Sequence, residues 1–192
     1  KKPPQIGTLN EGALHAALKR HYGGAEAQFE VPFSGFVADV VRDDTIFEIQ
    51  TSSFSGLERK MRALADQNPV VLVHPIAAQK NLVRIKDPAS GDFTRRKSPK
   101  KGKLCHILSE LVYLPSLLNH PNFSVEVALI EEEQHSIYDP KARRGRGGWR
   151  TRGRHLVELL EQLRINDVHD LLQFVQKPLA ATFSVQDLAA AM

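Results

Sequence analysis

Hydrophobic and polar positions in the first half of the chain change from helical to strand-like spacing in a definite order. A capping box at residues 8–11 opens a helix, and the glycine pair at 23–24 ends it. The inner face of this helix recurs at three- and four-residue intervals as Leu14, His15, Leu18 and Tyr22. The first predicted element is therefore an amphipathic helix.

Period-two alternation follows and predicts three strands. Apolar residues alternate with polar ones over 29–33, and Ser34-Gly35 turns the chain into a second strand at 36–42. Asp43-Asp44 makes a two-residue turn into a third strand at 45–51. The second and third strands therefore form a hairpin.

A second helix and a buried strand complete this order. The helix, at about 55–67, is expected to begin at a Ser55 cap and to stop at Asn68-Pro69. The wholly apolar run 70–73 is typical of a strand buried between two layers. The whole order predicts an α/β protein with a mixed central sheet flanked by helices.

The second half of the chain carries weaker periodic signals. We expect a strand at 82–85, a helix at about 103–118 and a further strand at 123–130. Residues 156–165 fit a strand or a helix equally well.

The C-terminal residues change character. Asp167 is expected to cap one short helix, and a capping box at 184–187 opens another. Two helices joined in this way resemble the start of a winged helix-turn-helix. We therefore divide the chain into an α/β domain, residues 1–165, and a partial helix-turn-helix-like segment, residues 166–192.

Positive charge is concentrated in two blocks, 95–103 and 141–154, although the net charge is only +4. Neither block contains an acid, so both suit a nucleic-acid phosphate backbone, while a solvated loop without that role is the alternative for each block alone. The second block is rich in Gly and Arg, and we expect it to be a loop. We predict backbone contacts from nine residues: Arg95, Arg96, Lys97, Lys100, Lys101, Arg143, Arg144, Arg146 and Arg150.

Several classes of protein do not fit this composition. No apolar run approaches the roughly 18 residues of a membrane span, and the N-terminus has neither Met nor a signal peptide. We therefore expect a trimmed start and a cytoplasmic protein.

Cys105 is the only cysteine, which excludes an internal disulfide and a thiolate zinc site. The absence of Walker and Gly-x-Ser-x-Gly motifs disfavours an ATP-driven enzyme and an α/β-hydrolase.

The hairpin register carries the candidate chemistry. A two-residue turn at 43–44 sets Asp39 directly opposite Glu48, with Gln50 two positions further on the same face. Opposed carboxylates among apolar neighbours destabilise a sheet unless something neutralises them. Mg²⁺ or Mn²⁺ suits such oxygen ligands. The alternative is that both acids face solvent on a one-sided sheet.

The spacing Asp39, eight residues, then Glu48-x-Gln50, within this order of elements, resembles the PD-(D/E)XK, or restriction-endonuclease-like, nuclease superfamily over residues 8–76. The resemblance implies that Asp39 and Glu48 hold the catalytic metal. It also implies that Glu11, on the first helix, adds to the metal shell, although Glu11 already has a local role in the capping box.

Two departures from that family pattern bear on activity. Gln50 stands where the family has a lysine, and Ala38 stands where a proline precedes the first acid. Gln50 can orient water or contact a metal but supplies no charge. Lys60, on the inward edge of the second helix, is the candidate replacement, while the alternative is that it only covers the helix edge. His15, Glu30 and His74 are weaker candidates.

These expectations combine into one function and one rival. The first is a Mg²⁺-dependent (or Mn²⁺-dependent) endonuclease that hydrolyses DNA phosphodiester bonds, with Asp39, Glu48, Gln50 and Lys60 as its catalytic set. The rival is an inactive nuclease-fold module that binds DNA or regulates other proteins. The expected partner is DNA, with no membrane contact, and a homodimer is left open.

Overall fold

A seven-stranded mixed sheet organises the computed structural model, which describes residues 12–87, 92–139 and 146–192. The strands are β1 Gln28–Phe33, β2 Phe36–Arg42, β3 Thr45–Ile49, β4 Val70–Asp87, β5 Asp92–Lys97, β6 Phe123–Tyr138 and β7 Trp149–Ile165. Their order is β1-β2-β3-β4-β6-β7, with β5 also paired to β4. β4 runs parallel to β3 and β6, and the other pairs are antiparallel. The predicted mixed α/β class is therefore confirmed.

Helices cover both faces of this sheet. The α-helices are α1 Ala13–Gly23, α2 Glu58–Ala65, α3 Leu108–Leu111 and α4 Val185–Ala191, and 3₁₀ helices span Leu104–Ile107, Arg146–Gly148 and Val168–Phe174. On one face α1 packs Leu14 and Leu18 against Val71 of β4. On the other face α2 packs Met61 and Leu64 into a larger apolar cluster.

The β2–β3 hairpin has the predicted register. Arg42 pairs with Thr45, Val41 with Ile46 and Val40 with Phe47. Both turn residues, Asp43 and Asp44, have positive φ, 49° and 59°, as a type I′ turn requires. Such a turn matches the right-handed twist of the strands, so local backbone geometry fixes the register.

The strands of the second half are longer than predicted. The separate strands expected at 70–73 and 82–85 are one 18-residue strand, β4, with a register shift between Ala77 and Gln79. Polar residues around this bulge interrupt the apolar pattern, so hydrophobic periodicity did not predict that β4 is one continuous strand. β3 pairs with the first part of one edge of β4, and β5 pairs with its last part. Residues 156–165 belong to a strand, β7.

Two helix predictions need correction. α2 begins at Glu58 rather than at a Ser55 cap, because Gly56 takes a positive φ of 81° that interrupts a helix. The helix expected over 103–118 is a 3₁₀ turn followed by the four-residue α3. Pro115 disfavours the helical conformation at the residue before it, so the helix ends early.

The C-terminal segment keeps the predicted caps. Asp167 accepts hydrogen bonds from the amides of His169 and Asp170, although the helix that it caps is 3₁₀ rather than α. Ser184 and Asp187 form the expected capping box of α4. Phe174 is buried in the same apolar cluster as α2, so this segment packs on the sheet domain.

Gly102 allows a close approach to β4, which gives a first stability prediction. Its amide donates to the Ala77 carbonyl at 2.8 Å. A Cβ at this position would lie 2.4 Å from Ile76 Cγ2 and 2.7 Å from Ala77 O. We expect Gly102→Ala to lower the free energy of unfolding by about 1–3 kcal/mol, measured by urea denaturation. Gly12→Ala, where a Cβ meets nothing within 4 Å, is the control. Equal unfolding midpoints for Gly102→Ala and wild type would contradict this packing.

No helix within the described ranges is long and apolar enough to cross a membrane.

Candidate active site

The carboxylates of Asp39 and Glu48 replace backbone pairing at one end of the β2–β3 hairpin. The Asp39 amide donates to Glu48 Oε1 at 3.1 Å, and the Ile49 amide donates to Asp39 Oδ2 at 2.9 Å. Each carboxylate therefore accepts a hydrogen bond from the backbone of the opposite strand. The two acidic groups are brought together where β2 and β3 separate.

Lys60 reaches this pair from α2. Its Nζ lies 2.6 Å from Glu48 Oε2, and Glu48 is only 5% exposed. α2 buries Met61 and Leu64 in the core, which turns the adjacent Lys60 toward the end of β3. An ammonium group therefore lies beside the buried acid, while the position two residues after Glu48 holds the uncharged Gln50.

His15 approaches the pair from the opposite face of the sheet. Its Nε2 lies 3.3 Å from Asp39 Oδ2. α1 presents His15 on the turn next to Leu14 and Leu18, which are buried against the sheet. His15, Asp39, Glu48 and Lys60 thus form a continuous polar row between the two helical layers.

The pKa values of the two acids in this row shift in opposite directions. Burial, reinforced by the charge of Asp39, raises the pKa of Glu48 from 4.5 to about 7, although Lys60 partly offsets this rise. Burial also acts to raise the pKa of Asp39, but hydrogen bonds from His15 and from the Ile49 amide outweigh it, so this pKa is lowered. Glu48 is therefore the group that keeps a proton below neutral pH.

Gln50 closes a turn after β3. Its Nε2 donates to the Ser53 carbonyl at 2.6 Å and to Ser52 Oγ at 3.0 Å. Its backbone carbonyl accepts from His74 Nδ1 at 2.8 Å, and the His74 ring packs edge-on against Phe54. Any contact of the Gln50 side chain with a metal or water would fall to its amide oxygen.

Six of the nine predicted phosphate-contacting residues are described, and they fall into three groups. Arg95, Arg96 and Lys97 lie on β5, where Arg95 is ion-paired with Glu133 at 2.7 Å. Lys100 and Lys101 are exposed in the loop that follows. Arg150 is on β7 rather than in a loop, so the expected loop over 141–154 is wrong at its end. The other three, Arg143, Arg144 and the Arg146 side chain, lie outside the described residues. The predicted metal ligand Glu11 also lies outside them.

The comparisons with known proteins establish a family. A family described as Domain of unknown function (DUF8091) matches residues 12–166, most of the chain. The chain belongs to that family. An "Uncharacterized protein" of Treponema pallidum (strain Nichols) is 31% identical over 185 residues, covering 96% of this chain and 73% of that protein. No solved structure matches. All four residues of the polar row fall within the part of the chain that the family covers.

A second buried acid, Glu132 on β6, was not predicted from the sequence. It is fully buried, with Lys80 Nζ at 2.7 Å from Oε1 and with Arg154 Nε and Nη2 at 2.8 and 2.7 Å from Oε2. Arg154 Nη1 also donates to the Thr51 carbonyl at 3.1 Å, just beyond Gln50. Strand periodicity contained the signal, because Glu132 continues the inward row of Ala128 and Ile130.

A further buried acid, Glu126, lies on the same face of β6. Tyr22 of α1 donates to Glu126 Oε1 at 2.5 Å, and Arg164 of β7 donates to Oε2. This cluster joins α1 to β6 and β7 and is separate from the polar row. It is therefore a packing feature of the α1 face.

The donor set of the polar row fits a hard divalent cation. Mg²⁺ is commonly held by one or two carboxylates while it keeps several waters. Asp39 and Glu48 supply two such groups. Burial and the charge of Asp39 destabilise the ionised form of Glu48, and a bound cation would offset that cost. Across residues 12–87, 92–139 and 146–192, no cluster of three or more His, Cys, Asp or Glu side chains has the arrangement of a metal site.

Proposed function

We propose that this protein is a divalent-metal-dependent endonuclease that hydrolyses DNA phosphodiester bonds at the Asp39–Glu48 pair, on a restriction-endonuclease-like core. The observation that carries the proposal is the Lys60 ammonium 2.6 Å from Glu48 Oε2. It supplies, from α2, the positive charge that Gln50 lacks. The hairpin sequence supports the same assignment through its resemblance to the PD-(D/E)XK pattern.

In this proposal the side chains have distinct tasks. Asp39 and Glu48 hold Mg²⁺ or Mn²⁺, and the Ile49 and Asp39 amides orient their carboxylates. When bound, the cation would polarise the phosphodiester and stabilise charge on the leaving oxygen. The positive charge of Lys60 stabilises the negative charge that grows on the phosphoryl oxygens in the transition state. His15 fixes the orientation of Asp39 through Oδ2.

The electrostatics of the pair support a role for Lys60 beyond packing. Two carboxylates and one ammonium give the row a net negative charge when both acids are ionised and His15 is neutral, and that charge attracts a cation. A cation that binds Glu48 would displace the Lys60 ammonium, which would then be free to face the substrate. The same group thus stabilises Glu48 before metal binding and the reacting phosphate afterwards.

Substitution of Lys60 tests this assignment. We expect Lys60→Met to reduce Mg²⁺-dependent cleavage of plasmid and branched DNA about a hundredfold, because one charged group that stabilises the transition state is lost. Binding of Mn²⁺, measured by calorimetry, should persist in this variant.

Arg59→Met is the matched control, because Arg59 is a neighbouring exposed cation on α2. It should cleave at the wild-type rate. Lys60→Met cleaving as fast as Arg59→Met would refute the role of Lys60, provided that wild type is active.

A second candidate function is a DNA-binding or regulatory module without catalysis. The observation that favours it is the Gln50 side chain, whose nitrogen is engaged by Ser52 and Ser53 in a turn. Calorimetry with Mn²⁺ separates the two functions. Salt-sensitive DNA binding without any metal binding would favour the inactive module.

A further inference from the structure

A small pocket lies beside the polar row. It has a volume of about 210 Å³ and lies between the start of α1, the residue after Gln50 and the β7 segment Thr151–Arg154. His15 lines it on one side while its Nε2 contacts Asp39 on the other. A group bound in this pocket would therefore be a direct neighbour of a group bound at Asp39 and Glu48.

A β-bulge shapes the β7 wall of this pocket. His135 pairs with Gly153 and the next residue of β6, Ser136, pairs with Thr151, so Arg152 is an extra residue in β7. Bulges redirect side chains and are frequent beside active sites. Thr151 and Arg152, which regular alternation would point to opposite faces, both line the pocket.

The pocket offers donors and positive charge. Arg154 is held in place by Glu132 and by the Thr51 carbonyl, and Lys80 adds a second cation to the same carboxylate. Two cations around one buried acid give this cluster a net positive charge, and Arg154 is its member that lines the pocket. Gln134 Nε2 donates to Thr151 Oγ1 at 3.4 Å, which directs the hydroxyl hydrogen elsewhere.

We propose that this pocket binds a phosphate group of the nucleic-acid strand, next to the phosphate that would be cleaved at the cation site of Asp39 and Glu48. Arg152, which is exposed on the bulge, donates to the phosphate oxygens, and the Thr151 hydroxyl donates a neutral hydrogen bond. The choice of a nucleic-acid strand as the occupant rests on the proposed function. The binding itself needs neither metal nor cleavage.

Binding in EDTA tests the pocket without any catalysis. The probes are a fluorescein-labelled single-stranded DNA oligonucleotide and its duplex, titrated by anisotropy over a range of salt concentrations. We expect Arg152→Gln to weaken binding of the duplex about eightfold at about 0.1 M salt and to reduce the slope of log K against log salt by about 0.9, because one phosphate contact is lost. Thr151→Ala should weaken binding about twofold with the slope unchanged, and Thr151→Ser should restore it.

Arg20→Gln is the matched control, because Arg20 is exposed in the last turn of α1, away from the pocket. If Arg152→Gln and Thr151→Ala bind DNA with the affinity and salt slope of Arg20→Gln, the pocket assignment is overturned, whatever the wild-type enzyme cleaves. The same holds if wild type binds neither probe. If the pocket variants behave as expected but wild type never cuts DNA, the pocket stands and the nuclease function falls.

Discussion

Replacing Asp39 with Asn is expected to abolish metal-dependent DNA cleavage, with a loss of about a thousandfold or more. The substitution removes one of the two charged ligands from the candidate metal site. It also keeps a carbonyl oxygen that can accept from the Ile49 amide, so the end of the hairpin should hold its shape. The loss is therefore expected without unfolding.

The measurement is a cleavage time course on plasmid and branched DNA with Mg²⁺ or Mn²⁺, alongside calorimetric titration of Mn²⁺. Asp39→Asn should lose both cleavage and metal binding. Asp44→Asn is the matched control, because it makes the same chemical change at an exposed position of the same hairpin. Asn tolerates the positive φ of that turn, so this control should be active and folded.

The two substitutions also separate the candidate functions. Cleavage by Asp39→Asn at the Asp44→Asn rate would remove the carboxylate pair from the chemistry altogether. Mn²⁺ binding by wild type that Asp39→Asn abolishes, without cleavage by wild type, would indicate a metal site in a non-catalytic protein. Absence of metal binding in wild type would support the DNA-binding alternative.

Sequence predicted the hairpin well because local rules decide it. A two-residue turn fixes which residues face each other, and apolar alternation fixes the face, so the pairs from Arg42–Thr45 to Val40–Phe47 follow without tertiary information. The proximity of Asp39 to Glu48 is a consequence of that register. Its role in metal binding stays a prediction.

Sequence predicted less where distant residues meet. The spacing of α2 placed Lys60 at an inward edge, but only packing of α2 on the sheet sets its ammonium at 2.6 Å from Glu48. The Lys80–Glu132–Arg154 cluster joins three strand positions across β4, β6 and β7. The alternation of β6 marks Glu132 as inward, but bulges in β4 and β7 break the alternation that would have located Lys80 and Arg154. The lengths of β4 and β7 were underestimated for the same reason.

Glu48→Gln is expected to stabilise the protein at pH 8 in the absence of divalent metal. Native Glu48 keeps its proton up to pH about 7, whereas the carboxyl of the unfolded chain loses it near 4.5. Between these values the native state binds more protons than the unfolded state, so wild-type stability falls as pH rises from about 4.5 to about 7. A neutral amide at this position removes that loss.

We expect the gain for Glu48→Gln at pH 8 to be about 2 kcal/mol, or about 4–8 °C in the melting temperature of a chain of this size. At pH 4.5 the variant and wild type should melt within about 1–2 °C of each other, since Glu48 is then protonated in the native state. Glu26→Gln, an exposed acid on the connection between α1 and β1, is the control and should shift neither melting temperature.

Added Mn²⁺ makes this stability prediction specific to a metal site. A cation that binds the native acids should raise the melting temperature of wild type at pH 8 and leave Glu48→Gln nearly unchanged, because binding to the native state alone stabilises by mass action. The opposite order, with Glu48→Gln less stable than wild type at pH 8 without metal, would mean that Lys60 alone satisfies the Glu48 carboxylate. The buried acid would then be an ordinary ion pair, and its need for a cation, on which the nuclease proposal depends, would be gone.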